Sequence, residues 1–582
     1  MKRKISGFMA FITVLMSMNL VFTSCFNSEK ETPETAETTS EEIVREESKL
    51  EKIYLVIPDE ASAQVIKLAE GASELITKQT GIPTEIKGDD ELSYQAKANH
   101  YYVIFGDTSY GQSKALSASA EEKKIYYAAK EDSIAVYAST DQLMSIGAEK
   151  LFADCVKNGS FAVGEEYTSL EVDASTYVKE NWTLNCPAFT RGMLDNVTYN
   201  LGYGLERNKD YSYMHIARSA SAQIYRDYLA TLESVGYKKE FENEIDGNLY
   251  ASYIGPLGSN IYVYFTKAKY EVRIIEDNVS APLSEFNYKL DASENTRLYA
   301  FKLGYKSEDC FLIHLADNSW IVIDGGMAEK GNLGSAYVRD LYNFMAERSS
   351  LKNGEKIQIA CWYLTHAHED HLFGFYGLVY EYGDKIQIHR VIDNTANEGY
   401  FILDYRRQYV ELLAKIKELN PDVMYLKIHS GMVVELADTT IETLFTHEDM
   451  VVGYTQNGVT NPNRGSLVSV FNIAGMTFLE TADNFVYDTY KDFSIETLTT
   501  DVLKIAHHYY DKTMDSVYNS LYQTGKVSYC YNPRLDTTAT AANNYQGPTL
   551  ELFGERYLQG NAAYGYEFYR DGDTVKMNKI SC

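Results

Sequence analysis

The chain has 582 residues, more than one hydrophobic core usually organises, so about two to four domains are expected. Hydrophobic residues make up 45% and charged residues 23% of the chain, which is typical of a folded globular protein and not of a disordered one. The formal net charge of −28 disfavours nucleic acid and anionic lipid surfaces as partners unless a local basic patch exists, and the sequence shows none.

The N-terminus has the layout of a secretory signal. Basic residues at 2–4 precede an apolar run over 5–22 with few polar residues, which indicates a signal segment and not a mature membrane span. The run closes on small residues and Cys25, which resembles the lipobox of bacterial lipoproteins, where the cysteine receives a diacylglycerol. We therefore expect residues 1–25 to be a lipoprotein signal peptide, with a plain signal peptide and an incidental cysteine as the alternative.

The segment after Cys25 is rich in Glu, Thr and Ser and predicts a disordered acidic linker over 26–51. Such a linker would hold the folded part away from a membrane. The expected location is therefore the outside of the cytoplasm, anchored to the cell membrane through a lipid on Cys25. Six further cysteines are widely spaced without a CxxC pair, so no disulfide framework is indicated.

An α/β accessory domain is predicted over residues 52–173. Apolar runs predict strands and a 3.6-residue repeat predicts helices, and their order is typical of an α/β unit. The predicted elements are strands at Ile53–Ile57, Tyr101–Phe105 and Ser133–Tyr137, a helix ending near Gly81 and a helix at Asp141–Phe152. This order, with the segment "VIFGDTS", resembles the accessory domain that precedes many carbohydrate-active enzymes.

A small α+β domain is predicted over residues 185–285. A helix around Tyr228 is followed by strands at Leu249–Tyr253, Ile261–Phe265 and Val272–Ile275. Tyrosine is common in these strands, and the chain holds 49 in total. A half-exposed tyrosine face could stack on sugar rings or on another protein, whereas ordinary strand packing is the favoured alternative.

The motif that decides the function lies in the last domain, predicted over 296–582. A strand at Trp320–Ile323 ends on Asp324, and a second apolar strand at Ile357–Leu364 runs directly into an HxHxDH motif. The motif consists of His366, His368, Asp370 and His371. Residues two apart after a strand end can point both imidazoles at one metal ion, and Asp370 with His371 can face a second ion. Imidazole and carboxylate ligands suit zinc best, with manganese and iron as competitors.

These residues resemble the metallo-β-lactamase superfamily, and this implies an α/β fold whose C-terminal domain is a four-layer αββα sandwich. Asp324 in "IVIDGG" matches the aspartate that orients the family's site. The segments "NRGSLVSVF", "MTFLETADN" and "DVLKIAHHYYD" resemble more specifically the extracellular domain of ComEC, the DNA-uptake channel protein. The resemblance implies further site residues, with His507 favoured over His508 as the closing ligand. Asn463 and Ser466 would orient the ligands, Asp483 would bridge the two ions, and His507 or His508 would be the last ligand.

Other features limit how far the resemblance extends. His429 and His447 lie where lactamases place a third zinc histidine, but neither has a favoured ligand pattern, which argues against a β-lactamase. The ComEC-like subgroup usually has Gly and Ser after its paired histidines, whereas this chain has Tyr509 and Tyr510. The metal ligands can therefore be transferred from the subgroup, but its substrate cannot.

The expected activity is hydrolysis by a hydroxide that two divalent ions activate, with Asp370 or Asp483 carrying the proton. The substrate would be a small-molecule or polymer ester or phosphoester, and no GxSxG motif suggests a serine nucleophile instead. Two alternatives remain from the sequence. One is an extracellular nuclease, which the acidic charge disfavours, and the other is a surface binding lipoprotein whose metal site is only structural.

Overall fold

The computed structural model describes most of the chain after Lys49, and the signal peptide, Cys25 and the linker up to residue 49 lie outside the described residues. The described residues are 50–91, 99–179, 182, 184–189, 198–207, 210–277, 280–301, 309–328, 335–395, 406–450, 462–485, 499–509, 514–523, 527–535, 553–560 and 564–581. From Leu50 onward they belong to one compact unit. Within this part of the chain, none of the helices combines the length and apolar composition needed to cross a bilayer.

The first sheet lies between helices on both of its faces. In spatial order it contains β2 (Thr84–Gly88), β1 (Lys52–Ile57), β3 (His100–Phe105), β5 (Ser133–Ala138), β4 (Lys124–Lys130) and β8 (Leu170–Asp173). The helices are α1 (Ala63–Thr80), α2 (Gly111–Ser119) and α3 (Asp141–Cys155), and a small hairpin joins β6 (Val156–Lys157) to β7 (Ser160–Phe161). Residues of α1 and α3 share a core with one face, and α2 packs on the other.

The second sheet is antiparallel and buried on both faces. In spatial order it contains β11 (Lys238–Ile245), β12 (Asn248–Ile254), β13 (Asn260–Thr266), β14 (Glu271–Asp277), β10 (Asp210–Ala217) and β9 (Thr198–Arg207), with α4 (Ala222–Ser234) on one face. The opposite face carries Tyr250, Tyr262 and Tyr264, which join the core of the C-terminal domain. These tyrosines are therefore strand-packing residues rather than an exposed sugar-binding face.

Two sheets packed face to face form the C-terminal domain. One sheet contains β15 (Tyr288–Lys289), β23 (Val433–Ala437), β24 (Thr439–Phe445), β25 (Val468–Ile473), β26 (Met476–Glu480), β27 (Thr500–Lys504), β28 (Val527–Leu535) and β29 (Tyr557–Gly560). The other contains β22 (Met424–Lys427), β21 (Arg390–Asp393), β19 (Ile357–Tyr363), β18 (Trp320–Asp324), β17 (Cys310–His314), β16 (Arg297–Ala300), β30 (Gly565–Asp571) and β31 (Thr574–Ile580), with β20 (Ile386–Ile388) paired to β19.

Helices cover the outer faces of these two sheets. They are α5 (Leu283–Phe286), α6 (Ala336–Arg348), α7 (Glu369–Tyr382), α8 (Arg406–Leu419) and α9 (Asp515–Gln523). One core lies between α6, α7, α8 and the sheet of β19, and a second lies between the sheets and includes residues of α9. The domain is thus the predicted αββα sandwich within a mixed α/β chain. Short 3-10 helices span Glu165–Ser169, Ser175–Tyr177, His447–Met450, Ala506–Tyr509 and Gly554–Arg556.

Parallel strand pairs bring the predicted motifs to one edge of the sandwich. β18 runs parallel to β19, so Asp324 and the loop after Tyr363 leave the sheet on the same side. β26 likewise runs parallel to β27, and the segments that follow Glu480 and Lys504 also leave together. Since both sheets end at this edge, residues far apart in the chain meet there.

Candidate metal centre

The HxHxDH loop is held at its base by Asp324. The Asp324 carboxylate accepts hydrogen bonds from the backbone N–H and the hydroxyl of Thr365, each at 2.8 Å. Its Oδ2 also lies 2.6 Å from Nδ1 of His371, which leaves Nε2 of that ring turned toward the other ligand-type residues. A carboxylate at Nδ1 fixes the orientation of an imidazole ring. Asp324 itself adopts a left-handed backbone conformation with φ of 57°.

One group of possible metal ligands contains His366, His368 and Asp483, whose ligand atoms all lie within 4.8 Å of one another. Burial and the neighbouring His371 lower the pKa of His366 well below its ordinary value, and burial also lowers the pKa of His368. Both rings are therefore neutral, the form that binds metal. The structure thus brings together two predicted ligands and the predicted bridging aspartate.

A second group contains Asp309, His371, Asp483 and His508, again within 4.8 Å. Nε2 of His371 lies 3.4 Å from Asp483 and 3.5 Å from Asp309, and Nε2 of His508 lies 3.5 Å from Asp483. Asp483 belongs to both groups. Asp370 adjoins the second group through its Oδ2, 3.2 Å from Nε2 of His508, and its side chain is 23% exposed.

The structure brings His508, and not the favoured His507, into the ligand group. His507, His508 and Tyr509 are consecutive left-handed residues, with φ of 47°, 51° and 60°. This unusual backbone sends adjacent side chains in different directions. His507 points instead to Asn463, whose Nδ2 lies 2.9 Å from its Nε2. Histidine adopts a positive φ more often than most residues, but these residue types do not specify three consecutive left-handed residues.

Asn463 and Ser466 lie beside the ligand groups without joining them. The buried hydroxyl of Ser466 donates a 2.7 Å hydrogen bond to the carbonyl of Asn463, which fixes the turn that presents the Asn463 amide to His507. His429 and His447 are also outside both groups. His429 is hydrogen bonded to Glu448 and to Asp277, and Nε2 of His447 lies 2.9 Å from Asn394.

Asp309 is the ligand-type residue that the sequence reasoning missed. It directly precedes β17, whose first residue Cys310 pairs with Asp324 at the end of β18. Its backbone N–H also donates to the carbonyl of Asp370. A signal was available, because an aspartate just before a strand that pairs antiparallel to β18 must lie at the edge where Asp324 ends. A lone aspartate in a loop, however, has too many ordinary uses to stand out.

A buried lysine lies under the second group. Nζ of Lys504 is 2.6 Å from Asp309 and 3.4 Å from Asp483, and it donates to the carbonyl of Ala482. Glu480 lies nearby, and burial raises its pKa to about 8. Lys504 thus places a buried positive charge beside Asp309 and Asp483 of the second group.

The charge balance of the site fits a divalent cation. Burial opposes ionisation of Asp483, but His508, His371 and Lys504 hold the pKa of its carboxyl well below the usual range. Burial would likewise lower the pKa of His371, yet Asp483 and Asp324 raise it well above its ordinary value. The carboxylates thus strongly favour positive charge between these side chains. Imidazoles and carboxylates, with no thiolate in either group, are ligands that zinc, manganese and iron accept.

The chain thus contains an αββα sandwich with two groups of histidine and aspartate side chains at its sheet edge that could hold metal ions. Residues 303–478 match the metallo-beta-lactamase superfamily, and this part of the chain is a domain of that superfamily. No curated protein sequence matches the chain.

The solved structures that match part of the chain include CmlA, a diiron beta-hydroxylase from Streptomyces venezuelae, which is 14% identical with a TM-score of 0.23. That match covers 44% of this chain and 41% of the CmlA chain. A long form RNase Z from yeast is 8% identical with a TM-score of 0.28, covering 49% of each chain. A flavo di-iron protein mutant from Thermotoga maritima is 10% identical with a TM-score of 0.18, covering 62% of this chain and 57% of the other. The chain therefore spans about two fifths of the CmlA chain it matches.

Proposed function

We propose that this protein is a metal-dependent hydrolase of an ester or phosphoester bond. The observation that carries the proposal is the pair of ligand groups that share Asp483 at the open edge of the sandwich. Members of the metallo-beta-lactamase superfamily are generally metal-dependent hydrolases, which supports the same reaction class. Two bound divalent ions, with zinc the best fit and manganese or iron as alternatives, would supply a Lewis acid and lower the pKa of a water molecule.

The side chains of this protein would bind the metal ions, orient the ligands and transfer the proton. His366 and His368 donate neutral nitrogens, and Asp324 keeps His371 in the orientation that presents its Nε2. Asp483 is buried and shared by both groups, so its oxygens are committed to the metal centre. Asp370 remains partly exposed while its Oδ2 contacts His508. Asp370 is therefore better placed than Asp483 to accept a proton from the attacking water and return it to the leaving group.

Metal content and hydrolysis together test this function. We expect the purified protein to hold about two divalent ions per chain and to hydrolyse at least one of bis(p-nitrophenyl) phosphate, p-nitrophenyl phosphate and p-nitrophenyl acetate. The Asp370→Ala variant should keep its metal and lose activity, because it removes the proposed proton acceptor but no member of either ligand group. Asp571→Ala, an exposed hairpin substitution, is the matched control. A wild-type protein that binds no metal under any of zinc, manganese or iron loading would overturn the proposal.

We further propose that the protein is exported and anchored to the cell membrane by a lipid on Cys25, with the folded part outside the cytoplasm. The signal-like segment 2–22 and the acidic linker up to residue 51 support this arrangement. Cell fractionation tests it with the Cys25→Ser variant, which should leave the membrane fraction while the wild type stays there. A wild type found in the soluble cytoplasmic fraction would contradict it.

A further inference from the structure

Three residues beside the metal centre, His507, Phe485 and Arg464, have no role in the proposed hydrolytic reaction. His507 directly precedes the ligand-type His508 but belongs to neither ligand group, and its Nε2 lies 2.9 Å from Nδ2 of Asn463. Its ring stacks on Phe485 with centroids 5.0 Å apart and an interplanar angle of 19°. The guanidinium of Arg464 lies 5.4 Å from the centre of the same Phe485 ring. His507, Phe485 and Arg464 therefore form a continuous face, here called the rim face.

The rim face is joined to the metal centre through the backbone. Phe485 follows the shared ligand Asp483 by two residues, and Arg464 follows Asn463, which contacts His507. The amide of Asn484 donates a 3.0 Å hydrogen bond to the carbonyl of Arg464, which ties the two loops together. The rim face is thus held in place by the same loops that carry the ligands, as a pre-organised binding site requires.

The charge of the rim face is opposite to that of its surroundings. The ligand groups contain several carboxylates, and the nearby cation Lys504 is fully buried and paired with Asp309. Arg464, in contrast, is exposed, and no carboxylate among the described residues forms an ion pair with it. A guanidinium that packs on an aromatic ring keeps its planar set of N–H donors accessible for a bidentate contact with phosphate or carboxylate oxygens. A neutral ester offers no such partner.

We propose that Arg464, supported by Phe485 and His507, is the specificity determinant that selects an anionic phosphoester over a neutral carboxylic ester. This inference rests on the proposed hydrolase function and narrows its substrate class. The overall charge of −28 disfavours a densely charged polyanion, so the substrate is a small or sparsely charged phosphoester rather than nucleic acid. Arg464 contacts substrate oxygens next to the scissile bond and takes no part in proton transfer.

The test compares metal-loaded, full-length wild type with Arg464→Gln and Arg464→Lys on two probes, bis(p-nitrophenyl) phosphate and p-nitrophenyl acetate. Arg464→Gln should lower kcat/KM for the phosphodiester by roughly 10- to 100-fold, the loss expected for one charge-assisted contact. It should leave the acetate unchanged. For the phosphodiester, the kcat/KM of Arg464→Lys should lie between those of wild type and Arg464→Gln, because lysine keeps the charge but lacks the planar guanidinium group. Arg226→Gln, which removes an exposed arginine from α4, is the matched control.

Binding of inorganic phosphate to the same proteins, measured by calorimetry, gives a readout independent of turnover. The dissociation constant should rise by about 10-fold or more in Arg464→Gln, and metal content should stay equal to that of wild type. Equal phosphate affinity, or an equal loss on both probes, would overturn the role of Arg464. A wild type without bound metal would instead overturn the proposed function itself, so the two failures are distinguishable.

Discussion

Lys504 and Asp309 illustrate how single residues set the charge of the metal centre. Both side chains are at most 1% exposed, and their charged atoms lie 2.6 Å apart. A buried charge that loses its partner is costly, so each depends on the other. Asp309 also belongs to a ligand group, and a bound cation would then share its carboxylate with Lys504. The stability of the site should therefore depend on lysine and metal together.

Replacing Lys504 with methionine should destabilise the metal-free protein by about 3–5 kcal/mol, because the carboxylates of Asp309 and Asp483 lose their fixed cation. The metal-loaded variant should lose less, because divalent ions supply positive charge in the same place. Denaturant unfolding with and without a chelator measures both values. The control is Lys78→Met, which removes an exposed ion pair with Glu285 and should cost less than about 1 kcal/mol. Equal destabilisation with and without metal would contradict this account.

The same residues show which parts of the site a sequence can reveal. The HxHxDH motif gathers four ligand-type side chains in six residues, so its chemistry is readable without a structure. Asp309 and Lys504 join the site only through strand pairing, which residue types do not specify. The membership of His508 rather than His507 in the second ligand group also depends on backbone structure. It depends on three consecutive left-handed residues, His507, His508 and Tyr509.

At the scale of elements, the second sheet supports the loops around the metal centre. Arg273 on β14 is fully buried, donates to the carbonyl of Glu448 and pairs with Glu271 at 2.8 Å. The hydroxyl of Tyr264 on β13 donates to Asp449 at 3.2 Å. Glu448 and Asp449 belong to the 3-10 helix that starts at His447 and packs against the turn carrying Asn463 and Ser466. A Cβ added at Gly465 in that turn would lie only 2.9 Å from Cβ of His447.

Arg273→Met should therefore affect both stability and the metal-site loops. It leaves Glu271 without its closest cation and the carbonyl of Glu448 without this donor, and a loss of about 3–5 kcal/mol is expected. Hydrogen exchange should speed up over 446–450 and 463–467, where the released contact acts. Arg226→Met, on the exposed side of α4, serves as the control and should change neither quantity. Unchanged exchange at 463–467 would show that the sheet does not support the turn.

The elements of this sheet were predictable, but their role was not. Apolar runs with turns between them located β12, β13 and β14 within a few residues, and the helical repeat located α4. The strands of β12 and β13 are buried at nearly every position, so their sequence shows no polar face that would mark a solvent side. The tyrosine face packs against the C-terminal domain, and the sequence pattern does not indicate which domain covers this face.

At the scale of the whole molecule, the helices that flank the first sheet contact the turn between β12 and β13 of the second sheet. A Cβ added at Gly71 of α1 would lie 2.5 Å from the carbonyl oxygen of Leu257, in the turn between β12 and β13. Glu149 of α3 reaches the same turn. Its carboxylate accepts hydrogen bonds from the N–H of Leu257 at 2.9 Å and from the hydroxyl of Ser259 at 2.6 Å. A single buried carboxyl thus joins the two sheets.

Glu149 should make the stability of the protein depend on pH. Burial raises the pKa of its carboxyl to about 7, above the ordinary value of 4.5. A raised pKa means that the folded state binds the proton more tightly than the unfolded state does. The protonated carboxyl therefore makes its full contribution to the free energy of unfolding below about pH 4.5, and this contribution is lost as the pH rises through 7. Glu149→Gln keeps the neutral form at every pH. The variant should therefore gain stability relative to wild type between pH 5 and pH 8.5, by at most about 3 kcal/mol.

Urea unfolding at both pH values, in the presence of a chelator so that metal binding does not contribute, measures the difference. Glu165→Gln, at an exposed position of the first sheet's unit, is the control and should follow wild type throughout. If Glu149→Gln were less stable than wild type by the same amount at both pH values, the carboxyl would be ionised and stabilising at this contact. The two sheets would then be joined by a charge rather than by a neutral hydrogen-bonded group, and the contact would weaken on acidification instead of on rising pH.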